Sequence, residues 1–148
     1  MFGKGHLIKH FSTVSTYKSN NILVINCGSS SVKFQIIDPV DKCTKISGIA
    51  ERLDTPKAVI KFKSQYIYNK QTIPIGNFNH KKTCDQIYDL IKDFDIKAIG
   101  HRVVHGGEKF KRSAIIDEAV KLEIKQLFPL GTFKILLYTV RHSNWPVF

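Results

Sequence analysis

The stretch from Asn21 to Asp38, NILVINCGSSSVKFQIID, constrains the fold of this chain more than any other. An apolar run, Ile22-Leu23-Val24-Ile25, leads through Asn26 into a small-residue loop, Cys27-Gly28-Ser29-Ser30-Ser31. Val32-Lys33-Phe34-Gln35-Ile36-Ile37 follows it. Two β-rich runs joined by Gly and Ser predict a hairpin. The loop brings together backbone N–H groups, three hydroxyls, a preceding amide and a following cation. Small residues let the backbone approach anionic oxygens and Lys33 adds positive charge, so phosphate with its Mg²⁺ suits this loop. An ordinary Ser-rich turn fits as well, because Ser and Gly dominate turns. The segment alone leaves both readings open. Cys27 is the thiol to examine for reactivity, with a small filler role as the other account.

Beyond the hairpin, Thr44 to Leu53 reads as a third strand that turns helical near Ala50. Ala58 to Lys63 alternates imperfectly, and Tyr66 to Ile75 continues the β pattern with a hairpin expected across Asn69-Lys70-Gln71. From about Lys81 the period changes: Cys84, Ile87, Tyr88, Ile91 and Phe94 recur at helical spacing. Ala98 to His105 then forms a buried strand, the αβ half of a crossover unit. A second amphipathic helix is expected near Asp117, with Val120, Ile124, Leu127 and Phe128 as its stripe. Antiparallel strands followed by helix, strand and helix predict an α/β unit with a mixed sheet. A length of 148 residues supports one core.

Composition narrows the function. The net charge of +11 invites nucleic acid as a partner, but its distribution argues against that. Between residues 21 and 128, 18 basic and 12 acidic residues are interspersed, and no recognition helix or zinc-finger spacing is present. A basic surface that handles anionic substrates accounts for the charge equally well. No apolar run reaches the roughly 18 residues of a membrane span. Cys27, Cys43 and Cys84 are widely spaced with no CxxC, which favours reduced cytosolic thiols. Residues 1–20 carry Lys4, Lys9 and Lys18 with no acid and read as a loose extension.

A second cluster lies in IGHRVVHGGEKF, Ile99 to Phe110. Arg102 falls near the C-terminal end of the expected strand, where α/β folds place ligand groups. A guanidinium there would grip a carboxylate or phosphate in bidentate fashion; an ion pair with Glu108 or an Asp is the structural alternative. His101 and His105 share the opposite strand face by period 2, and core or hydrogen-bonding roles suit them better than metal ligation.

Taken together, VINCGSSSVKFQIID and GHRVVHGGEKF resemble the acetate kinase (acetokinase) family, over roughly Ile22 to Leu130. The resemblance implies the N-terminal domain of a ribonuclease-H-like fold of the actin, sugar-kinase and Hsp70 type: α/β, a mixed sheet with flanking helices. It implies a cytoplasmic, usually homodimeric phosphotransferase of acetyl-CoA biosynthesis. With Mg²⁺, that enzyme moves a phosphoryl group from ATP to acetate or another short-chain acid, giving acetyl phosphate. Carried over by position, Asn26 matches the family's Mg²⁺-binding asparagine and Lys33 its ATP-contacting lysine. Ser29 and Ser31 match loop serines near the phosphates. Arg102 matches the arginine that binds the acyl carboxylate, and Val104 a wall of the methyl pocket.

The family's catalytic aspartate has no counterpart in this chain, so no catalytic residue is assigned. Residues 21–130 are expected to form the kinase-like domain. Residues 131–148 diverge from the family pattern, and Gly131-Thr132-Phe133 is what a frameshift would give; a native edge strand over Ile135 to Val140 is the alternative. The expectation is a truncated family member, inactive alone. A non-catalytic remnant or phosphate-binding module is the alternative, followed by a basic nucleic-acid-binding protein.

Overall fold

A computed structural model describes residues 20–102 and 114–127, with the side chains of 124–127 excepted. The expectations for residues 1–19, Val104, His105, Glu108 and the tail 131–148 lie outside the described residues.

Six strands form one sheet in the order β5-β4-β3-β2-β1-β6. Along the chain these are β1 (Asn21–Cys27), β2 (Ser31–Asp38), β3 (Cys43–Glu51), β4 (Val59–Ser64), β5 (Ile67–Pro74) and β6 (Ile96–Arg102). The first five pair antiparallel with their sequence neighbours, whereas β6 lies parallel to β1. Helix α1 (His80–Ile91) links the two edges of the sheet, and α2 (Glu118–Leu127) follows β6. The sheet is therefore mixed and flanked by helix, as the patterning predicts.

Alternation decides which side chains meet. Leu23, Ile25 and Cys27 pair across the ladder with Ile36, Phe34 and Val32, and all six are buried. The same face continues through Ile46, Ala50, Ile60 and Phe62, and α1 lays Cys84, Ile87 and Ile91 into one cluster with them. At full burial each large aliphatic or aromatic side chain contributes about 1.5–3 kcal/mol, so this face fixes the strand register. Gly48 is required there. A Cβ on it would stand 2.5 Å from Phe34 Cζ and 2.8 Å from the Lys61 carbonyl oxygen.

Two local expectations need correction. β3 stays extended to Glu51 instead of becoming helical near Ala50, because Ala50 pairs with both Val32 and Ile60 in the core. The chain turns just after it, with Arg52 and Asp54 at φ 60° and 61°. The hairpin expected across Asn69-Lys70-Gln71 instead turns at Gln65-Tyr66, where the Gln65 N–H donates to the Lys45 carbonyl and the Tyr66 N–H to Ser64 Oγ. Asn69 to Gln71 lie within β5. They are polar because β5 is an edge strand facing water, where Pro74 is also tolerated.

At the far end of β2, the buried pair Asp38 and Lys45 is closed at 3.0 Å. The Lys45 hydrogen bond holds the Asp38 carboxyl below its usual range, with help from the Val40 and Asp41 N–H groups.

Candidate functional site

With Ile25 and Cys27 turned into the core, period 2 sends Asn26 to the opposite face of the sheet. Asn26 pairs with Lys33 on β2 and, in the parallel ladder, with Arg102 on β6. The three residues thus form one lateral row on the face away from α1. Strand spacing of about 4.8 Å puts the Lys33 and Arg102 backbones about 10 Å apart, with the Asn26 amide between them. Lys33 and Arg102 are exposed and Asn26 is half-buried. Among the described residues none of the three side chains has a hydrogen-bond or ion-pair partner; Glu108, the other partner considered for Arg102, lies outside them.

The loop caps this row. The Gly28 N–H donates to the Ser31 carbonyl at 2.8 Å, and the Ser30 carbonyl accepts from the Leu53 N–H at 3.1 Å. The Gly28 carbonyl lies 2.8 Å from His80 Nε2, the first residue of α1. Both carbonyls are thereby engaged by the protein. The N–H groups of Ser29 and Ser30 have no partner among the described residues. Exposed Ser29 and half-buried Ser31 bring their hydroxyls to the same turn. Gly28 fits because a Cβ there would come within 2.9 Å of Ser31 Oγ. Amides and hydroxyls beside two cations, the amides and the cations without partners among the described residues, form an arrangement suited to an anion with several oxygens.

Beyond Lys33 the row continues through Ile49 and Lys61 into a groove of about 530 Å³, lined also by Gln35, Ser47, Lys63 and Lys70. Lys61 is committed to Glu51, whose carboxyl its hydrogen bond holds below the usual range.

Cys27 ends β1 and is buried; burial first, and the neighbouring Cys84 second, push its thiol up to about 12. It is a core filler, and the reactive reading does not hold. His101 pairs with Ile25 on the α1 side, with Nδ1 3.2 Å from the Arg102 carbonyl. Burial pushes its pKa below the usual histidine value. The sequence reading passed over His80, starting the helix near Lys81. Asn79 held the signal for where α1 starts, though not for the His80 contact: it caps the helix by accepting from the Lys82 N–H at 3.0 Å.

For Mg²⁺, the Asn26 carbonyl oxygen and the serine hydroxyls are neutral, hard oxygen donors. No cluster of three His, Cys, Asp or Glu stands among the described residues. The donor set therefore fits a cation that arrives with its phosphates.

Comparison with known proteins matches residues 21–134 to the Acetokinase family. The acetate kinase of Chromobacterium violaceum is 41% identical over 117 residues, covering 76% of this chain and 29% of that protein. The acetate kinase of Methanosarcina mazei is 38% identical over 122 residues, covering 74% and 29%. Among solved structures, a propionate kinase from Francisella tularensis superposes with a TM-score of 0.76 at 31% identity, covering 86% of this chain and 35% of that one. The acetate kinase from Entamoeba histolytica gives 0.72 at 26% identity, covering 86% and 33%. The chain spans less than a third of the length of the curated relatives it matches.

Proposed function

This chain belongs to the acetokinase family, and from that premise we propose that it supplies one side of an acyl-phosphate-forming kinase site without turning over alone. The row of Lys33, Asn26 and Arg102 under the Gly28–Ser31 loop carries this reading. The substrates are ATP with Mg²⁺ and acetate or a similarly short carboxylic acid, in a cytoplasmic setting.

Each group has a distinct task. Arg102 pairs with the carboxylate of the acid, and later with the oxygens of the transferred phosphoryl group. Lys33, Ser29 and Ser31 hold phosphate oxygens, and Asn26 offers an oxygen to Mg²⁺. Mg²⁺ held there would neutralise phosphate charge. In-line phosphoryl transfer depends mainly on such positioning and charge neutralisation. Turnover also needs groups from the other side of a closing cleft. A single oriented donor is worth about 10²–10³ in rate, so a half-site falls below measurable activity.

A coupled assay for acetyl phosphate, with ATP, Mg²⁺ and acetate, tests this directly. The expected result is no turnover from the purified chain but saturable binding of acetyl phosphate, lost in Arg102→Ala. Turnover that disappears in Arg102→Ala would overturn the half-site reading.

A further inference from the structure

We infer that His80 is a positioning residue for the Gly28–Ser31 loop, holding its carbonyl side toward α1 so that its N–H side stays turned outward to an anion. This rests on the phosphate reading of the loop. A carbonyl oxygen carries partial negative charge and would repel a phosphate brought against it. The Gly28 carbonyl is the loop group best placed to do harm, because it directly precedes Ser29. His80 Nε2 takes it at 2.8 Å, across 52 residues of sequence. The Ser30 carbonyl is tied off in parallel by the Leu53 N–H. What remains are the N–H groups of Ser29 and Ser30, both exposed residues, without partners among the described residues.

The clamp stands on a rigid base. Asn79 fixes the first turn of α1 twice: its side chain accepts from the Lys82 N–H and its carbonyl from the Thr83 N–H at 3.0 Å. Thr83 and Cys84, on the next residues of that turn, are buried. His80 therefore reaches the loop from an element anchored in the core. Since the Gly28 carbonyl can only accept, the neutral ring must carry its proton on Nε2.

The test uses the 148-residue chain. Nitrogen NMR of the ligand-free protein should show the His80 ring protonated on Nε2. In His80→Phe, the Ser29 and Ser30 amides should lose order on the fast timescale, while Tm and the Ile36 and Ile60 amides stay unchanged. His80→Gln, whose side-chain amide can still donate, should restore the loop. Titration with Mg²⁺-pyrophosphate should give about tenfold weaker binding in His80→Phe and near-native binding in His80→Gln, the range of one lost hydrogen bond. A ring protonated on Nδ1 alone, an unchanged loop in His80→Phe, or joint loss of loop and core without rescue by Gln would overturn the clamp. Absence of pyrophosphate binding in the wild type would overturn the phosphate reading, while ring tautomer and loop order still decide the clamp.

Discussion

The two faces of one sheet carry opposite chemistry in alternate residues of the same strands. Toward α1, Val32, Ile36, Ile46 and Ile60 are completely buried. On the other side, their chain neighbours include Lys33, Gln35 and Lys61, with Asn26 and Arg102 in line. The apolar face supplies the energy and fixes the register; the polar face inherits its geometry from that register. A one-residue slip of β1 would send Asn26 into the core and Ile25 to the site. The row works because the core beneath it permits no slip.

Breaking the buried face should have the largest effect. Phe62→Ala removes a ring from a site with 1% exposure and should cost about 3–5 kcal/mol in urea unfolding, a large share of a small domain's stability. Gly48→Ala comes next. Its Cβ meets the Lys61 backbone as well as the Phe34 ring, so neither side yields easily, and about 1–3 kcal/mol of destabilisation is expected by the same measurement.

The Asp38 and Lys45 pair sharpens the contrast through pH. Asp38 is held below its ordinary value of 3.8, so its contribution is fully present above that pH and drains away as pH falls through the lowered value. Urea midpoints of wild type and Asp38→Asn should differ most near neutrality and converge in acid. Lys33→Ala and Arg102→Ala should have the smallest effect on stability, within about 0.5 kcal/mol, because both side chains are exposed. Thermal melts check that expectation, and the same variants should lose anion binding.

Much of this was legible in residues 21–38, where alternation and the Gly-Ser loop reveal hairpin, core face and candidate donors together. The turn between β4 and β5 was not, because polar Asn69 to Gln71 look like a loop when they are an exposed edge strand. The residue types of the site were legible, but their alignment was not. Placing Asn26 beside Arg102 depends on a parallel pairing between segments far apart in sequence. The His80 contact with Gly28 was hidden for the same reason, since no local pattern announces a bond made across the fold.

If the row and its loop, and not the general basicity of the polar face, recognise phosphate, amide NMR of the 148-residue chain titrated with Mg²⁺-ATP will show it. Saturable shifts are expected at Asn26, Gly28 to Ser31, Lys33 and Arg102. Shifts centred instead on Lys61, Lys63 and Lys70, or none that saturate, would contradict it.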